Sequence, residues 1–127
     1  MQEVTIMLLT QTHTPAKKKR AWYRYFLTCA GKSLEGQGTE EDTTGHRLAL
    51  RCLIEALKRM TRPARITILT DCNYLLNGMN SIDAWKAAGF RRADGTKLRN
   101  TDLWEEIWRL KEGHEIEARY ENTFLYK

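Results

Sequence analysis

The apolar residues of this chain change period near residue 44, and that change restricts the fold more than any other feature of the sequence. Before it the pattern is extended. Glu3 to Thr10 is β-branched and apolar and is bounded by Thr-His-Thr-Pro, so it reads as a strand. Ala21 to Cys29 reads as a second strand, with Trp22, Arg24 and Phe26 on one face and Tyr23, Tyr25, Leu27 and Cys29 on the other. Gly31-Lys32 reads as a turn, and Ser33 to Thr39 as a returning third strand, which completes an antiparallel meander. After it, Leu50, Leu53, Ile54 and Leu57 fall at helical spacing, with Met60 one turn further. Thr43 or Thr44 supplies a cap, and Pro63 ends the pattern.

The remainder alternates between the two periods. Arg65 to Thr70 is a short buried strand that runs into Asp71. Asn73 to Gly78 is helix-like, and a further helix is expected between a Ser81 cap and Gly89. Asp94-Gly95 marks a turn. Asn100 or Thr101 caps another helix, with Leu103, Ile107 and Leu110 inward and Gly113 at its end. Ile116 to Tyr120 is the last strand. Three strands, a helix, a strand, three helices and a strand predict an α/β domain, a mixed sheet with helices packed on it. At 127 residues the chain is expected to form one domain, 1–127, with a core of its own.

Composition and charge narrow the functional classes. Apolar residues make up 42% and charged residues 29%, as in a globular protein. The longest apolar run, Ile6 to Leu9, is far short of the ~18 residues of a membrane helix, and Met-Gln-Glu-Val lacks the charged region of a signal peptide. Cys29, Cys52 and Cys72 are odd in number and widely spaced, so neither a disulfide framework nor a zinc site is indicated; thiols in a reducing cytoplasm are expected. The net charge of +5 suits a polyanionic partner. Lys17 to Arg20 forms one basic run, in the expected turn region before the second strand. A second basic stretch holds Lys86, Arg91, Arg92, Lys97 and Arg99, interleaved with Trp85 and Phe90.

Three motifs in order carry a resemblance. Thr44-Gly-His-Arg-Leu-Ala-Leu-Arg-Cys-Leu-Ile-Glu-Ala-Leu-Lys58 resembles the first long helix of the ribonuclease H family. Ile66 to Tyr74 (Ile-Thr-Ile-Leu-Thr-Asp-Cys-Asn-Tyr) resembles its fourth strand and the residues that follow it. Trp85, Gly89-Phe90 and then Asn100-Thr-Asp-Leu-Trp104 resemble its Trp-bearing basic protrusion and the helix after it. The resemblance runs from Val4 to about Tyr120. It implies a five-stranded mixed sheet of order 3-2-1-4-5, its first three strands antiparallel, flanked by helices. It also implies two-metal hydrolysis of the RNA strand of an RNA–DNA hybrid. There two Mg²⁺ ions ~3.5–4 Å apart clamp the attacking and leaving oxygens, held by four carboxylates that offset their charge.

Against that pattern the carboxylates are mostly missing. The first-strand position falls on Gln11 and the first-helix position on Ala49. The fourth-strand carboxylate is Asp71, and the family's C-terminal helix, which bears the fourth, has no counterpart before Lys127. One carboxylate brings about one negative charge against the four positive charges of two Mg²⁺, so Asp71 is expected to hold a metal weakly if at all. Its alternative role is to cap the following helix. Glu40, Glu41 and Asp42 are the acids that could approach this sheet end, whereas Glu55 falls on another helical face. His13 and His46 are the imidazoles that a softer metal would need, though neither has ligand spacing.

The resemblance places nucleic-acid contacts at Thr44, His46 and Arg47, where a helix N-terminus offers free N–H groups to phosphate, and at Asn73. It places further contacts on the protrusion, at Trp85, Lys86, Arg91, Arg92, Lys97 and Arg99. For each, an ordinary structural role stands beside the functional one: capping by Thr44, a solvated basic hairpin, and packing for Tyr74, Trp104 and Trp108. Three functional readings follow. The first is a nucleic-acid-binding protein for RNA–DNA hybrid or double-stranded RNA that has lost its catalysis. The second is a divergent Mg²⁺- or Mn²⁺-dependent ribonuclease H. The third is a protein-interaction or homodimerisation module using the sheet face left by the absent C-terminal helix.

Overall fold

The computed structural model describes residues 1–11 and 16–127, apart from the side chains of Phe124 and Leu125. The strands are β1 (Gln2–Thr10), β2 (Lys17–Cys29), β3 (Lys32–Thr44), β4 (Ala64–Thr70) and β5 (Glu115–Tyr120). The helices are α1 (Gly45–Leu57), α2 (Asn73–Ala87) and α3 (Thr101–Leu110), and a 3₁₀ turn spans Thr123–Tyr126. One sheet holds all five strands in the order β3-β2-β1-β4-β5. The β1–β2 and β2–β3 pairs are antiparallel, whereas β1–β4 and β4–β5 are parallel, as crossover through a helix requires. This is the sheet order that the sequence resemblance implies.

The elements differ from the sequence expectation in several places, β3 among them, which runs on past Thr39 to Thr44. Lys17 to Arg20 are not a loop: β2 begins at Lys17, which pairs with Thr44 on β3. The apolar alternation fades there because this end of the hairpin is exposed. Opposite charge holds the register instead, with Arg20 across from Glu41 and their side chains 2.7 Å apart. Second, α2 is one helix, and Ser81 lies inside it rather than capping a second. Leu75, Gly78 and Ile82 line its buried stripe at i, i+3 and i+7, so burial overrides the local stop signal. Third, Cys72 and not Asp71 stands at the N-cap of α2, and its side chain makes no capping bond. His13 lies outside the described residues.

The core forms between the sheet and one helical layer. Val4, Ile6 and Leu8 of β1, Tyr23, Tyr25 and Leu27 of β2, and Ile66 and Ile68 of β4 point to α1, where Leu50, Leu53, Ile54 and Leu57 are essentially inaccessible. Helix α1 packs on β1, β2 and β3, α3 packs on α1, and α2 touches both helices together with β4 and β5. Two glycines of β3 are required by the tyrosines. A Cβ at Gly36 or Gly38 would fall within 2.2 Å of the Tyr25 ring or 2.4 Å of the Tyr23 hydroxyl. The rings of β2 therefore lie across the β3 backbone, and burial pushes the Tyr23 hydroxyl up to about 12, with Glu55 nearby adding to the shift.

The opposite face of the sheet carries no α-helix among the described residues. Thr5, Met7 and Leu9 of β1 and Trp22, Arg24 and Phe26 of β2 share it. The 3₁₀ turn packs against β1, and Leu9 is fully buried there although it lies outside the main core cluster. No helix of the described residues is long and apolar enough to cross a membrane.

Candidate functional site

Two regions gather the residues singled out by the sequence. The first is a corner where β1 and β4 end side by side, paired in parallel up to Met7 and Leu69. Asp71 follows β4 directly and is buried. Gln11 follows β1 and is exposed. Its backbone N–H donates to the Trp22 carbonyl at 3.1 Å, and its side-chain Oε1 accepts from the Trp22 N–H at 3.1 Å. Gln11 thereby extends the β1–β2 ladder by one step, with its amide oxygen turned to β2. Ala49 is buried on α1 and presents only a methyl group.

Of the nearby acids, Glu40 and Glu41 are paired elsewhere, and Asp42 is exposed at a positive φ. Arg51 gathers Glu40 at 2.9 Å and Glu55 and Glu106 at 3.8 Å each, and Lys58 takes Glu55 and Glu106 as well. Glu41 pairs with Arg20. Among the described residues no group of three or more His, Cys, Asp or Glu side chains comes together that could hold a metal ion. Burial pushes the Cys52 and Cys72 thiols up, so neither is a thiolate at neutral pH.

The second region joins the N-termini of α1 and α3 to a basic hairpin. Thr44 caps α1, its hydroxyl accepting from the Arg47 N–H at 3.1 Å. Arg47 reaches across to α3, donating through two nitrogens to Asp102 at 3.1 and 2.8 Å and to the Asn100 side-chain oxygen at 3.0 Å. The bidentate pair holds the Asp102 carboxyl below the usual carboxylate range and raises Arg47. His46 stacks flat on Tyr74, with ring centroids 4.2 Å apart and 2° between the planes. The Tyr74 hydroxyl accepts from Asn100 at 3.0 Å and from the indole N–H of Trp104 at 3.1 Å. Asn100 adopts a left-handed backbone and makes no capping bond, because its side chain serves this network instead. Asn73 is exposed at the start of α2. Tyr74 was not among the expected contact residues. Its position after Asp71 gives no sign of this hub, which exists only because three helix starts converge.

The hairpin leaves α2 through Gly89 and Phe90, both at positive φ, and returns at Leu98. Asp94-Gly95 turns it as expected: Asp94 accepts from the Thr96 N–H, and Arg91 bridges to Lys97. Lys86, Arg91, Arg92, Lys97 and Arg99 are all exposed. Trp85 is half-buried and packs edge-on to Trp104 at 5.2 Å, so it roots the hairpin in the helical layer. Lys86 lies 4.7 Å over the Trp108 ring. A cleft beside it is bounded by Lys86, Phe90, Glu105, Trp108 and Arg109.

A five-stranded mixed sheet of this order, with helices on one side and a carboxylate after the central parallel strand, defines a protein of the ribonuclease H-like class. The RNase H family model matches residues 11–121, and the chain belongs to that family. It is 39% identical over 95 residues to a ribonuclease H of Pelobacter propionicus, covering 74% of this chain but 58% of that protein. A ribonuclease H of Cupriavidus necator is 32% identical over 117 residues, covering 91% of this chain and 79% of the relative. The fold is similar to LC9-RNase H1, a type 1 RNase H with the type 2 active-site motif: TM-score 0.77, 24% identity, 97% of this chain and 64% of that one. It is also similar to LC11-RNase H1 in complex with RNA/DNA hybrid, with TM-score 0.65 and 13% identity over 93% of this chain and 84% of that one.

Proposed function

We propose that this chain binds nucleic acid, an RNA–DNA hybrid or another double-stranded nucleic acid, and does not cut it. One observation carries the reading: exposed cations and a helix N-terminus line one side of the molecule, while the corner at Asp71 offers one carboxylate. Where the resemblance puts three of the family's carboxylates stand Asp71, Gln11, whose amide oxygen already accepts from Trp22, and Ala49, which brings no ligating atom. That set does not fit a pair of divalent cations, which need several anionic oxygens to offset their charge. Binding has no such requirement. Lys86, Arg91, Arg92, Lys97 and Arg99 each contribute a separate phosphate contact, and Thr44 and His46 stand at a helix start suited to an anion. Arg47, tied to Asp102, positions that helix start rather than reaching a ligand. Asn73, at the start of α2, is left to a groove contact. Trp85 acts as the root of the hairpin. The structural relatives solved with an RNA/DNA hybrid and with dsDNA support a nucleic-acid partner.

The rival reading is metal-dependent cleavage with Mg²⁺ or Mn²⁺, and the relatives named Ribonuclease H favour it. One assay separates the two. A labelled RNA–DNA hybrid is titrated by fluorescence anisotropy across a salt series, with Mg²⁺ and then Mn²⁺, and the same samples are run on a denaturing gel. Salt-sensitive binding with intact RNA is the expected result. RNA cut by the parent protein but not by Asp71→Asn overturns it and restores the enzyme.

A further inference from the structure

The face of the sheet that carries no α-helix among the described residues presents a row that the hybrid-binding reading does not use. Trp22, Arg24 and Phe26 follow one another on the same face of β2, and Arg24 lies over the Phe26 ring at 5.2 Å from its centroid. No carboxylate among the described residues pairs with Arg24. Between Trp22 and Arg24 the surface falls into an open depression of about 390 Å³, closed on the β3 side by Gln37 and Thr39. Both of these residues are exposed, and neither side chain has a hydrogen-bond partner among the described residues.

We propose that this depression is a slot for one base of a single-stranded nucleic acid. Residues two apart on a strand are separated by ~6.6–6.8 Å. A flat ring held between two planar groups needs about twice a van der Waals contact, or ~7 Å. The spacing of Trp22 and Arg24 meets that need: an indole on one side, and on the other a guanidinium whose far face is backed by Phe26. Stacking of this kind tolerates every base, because each has a π-face. Gln37 offers both a donor and acceptors, and Thr39 a hydroxyl, to the edge of the seated ring. Lys18 lies on the same face of β2, two positions beyond Arg20, where the strand's next phosphate would run. Arg20 itself is neutralised by Glu41, and Glu35 stands across from Phe26. These acids bound the slot at both ends and limit it to a single base. A duplex cannot occupy it, since its bases are already stacked on one another. The slot lies on the other side of the sheet from the helical layer that carries the basic hairpin, so the two sites do not overlap and neither depends on the other.

The test uses a fluorescein-labelled uridine decamer, read by anisotropy at low salt, with and without saturating unlabelled RNA–DNA hybrid. Arg24→Lys keeps the charge and removes the plane, and Gln37→Ala changes an exposed side chain; neither disturbs the core. Trp22→Ser is a third variant, accepted only if its near-ultraviolet circular dichroism is native. Arg24→Lys and Trp22→Ser are each expected to weaken decamer binding by roughly 5- to 150-fold, the usual cost of a lost base stack. The decamer should stay bound when hybrid is added. Undiminished binding by Arg24→Lys overturns the slot, as does displacement of the decamer by hybrid. A protein that fails to bind hybrid but binds the decamer in an Arg24-dependent way refutes the hybrid reading and leaves the slot standing.

Discussion

The corner at Asp71 and the hairpin from Gly89 to Leu98 flank the same sheet-and-helix fold, yet they are expected to tolerate change differently. The proposed loss at the corner is cooperative: a divalent pair is held only if several carboxylates converge, so Gln11 and Ala49 at the positions implied by the resemblance would be enough to undo it with Asp71 still in place. The hairpin is additive. In the proposed complex each exposed Lys or Arg would meet phosphate on its own terms, so losing one is expected to lower affinity by a step without abolishing it. On the proposed reading, two substitutions are enough to remove a metal-dependent chemistry, whereas grip on a polyanion survives many. The difference lies in the physics of the two sites: the corner stands at the ends of β1 and β4, the hairpin on the helical layer.

Substitutions that separate the two regions test this. The largest effect is expected from Trp104→Ala. Trp104 is fully buried, meets Trp85 edge-on, donates to Tyr74 and leaves no room for a Cβ at Gly78. Its loss should cost about 3–5 kcal/mol in urea denaturation and loosen the hairpin root. Next comes the paired change Arg91→Ala with Lys97→Ala. It should lower the slope of log affinity for hybrid against log salt by about two, one for each phosphate that is no longer neutralised, while Asp71→Asn leaves the slope unchanged. An equal fall with Asp71→Asn would place the corner in the binding surface and break the comparison.

A smaller effect is expected at the C-terminal 3₁₀ turn. The Thr123 hydroxyl is buried and has no hydrogen-bond partner among the described residues. Thr123→Val keeps the shape and removes the unmet group, so stability should rise by about 1 kcal/mol in the same denaturation assay. The smallest concerns the Arg47–Asp102 pair, which ties the α1 start to the hairpin side. Arg47 depresses the Asp102 carboxyl, so the pair's contribution is present above the ordinary carboxylate range and fades as pH falls through the lowered value. The Asp102 side chain is 65% exposed, and solvent screening holds the effect below about 1 kcal/mol. The stability gap between the parent and Asp102→Asn should be open at pH 7 and narrow as the pH falls below the ordinary carboxylate range.

Much of the architecture was readable in advance, for local reasons. Leu50, Leu53, Ile54 and Leu57 mark α1 because one face of a helix must be apolar, and Thr44 caps it because a free hydroxyl at that position satisfies an orphan N–H. Asp94-Gly95 turns the hairpin as its residue types demand. The misreadings arose where local signals met tertiary ones. Ser81 looked like a cap and lies mid-helix because Ile82 is drawn into the core. Lys17 to Arg20 looked like a loop and pair as a strand because β3 lies alongside with Glu41 in register.

The sequence by itself determined the order of the five strands, the helical face of α1, and the residues Gln11, Ala49 and Asp71 that stand where the resemblance puts three of the family's carboxylates. Those properties follow from periodicity and residue identity, which are local. Only the tertiary structure decided that Gln11 turns its oxygen to Trp22 and that Arg47 is tied to Asp102. It alone drew Tyr74, His46, Asn100 and Trp104 into one hub. These are pairings between residues 11 to 55 positions apart. Their partners are set by which elements pack together, and no pattern along the chain encodes that.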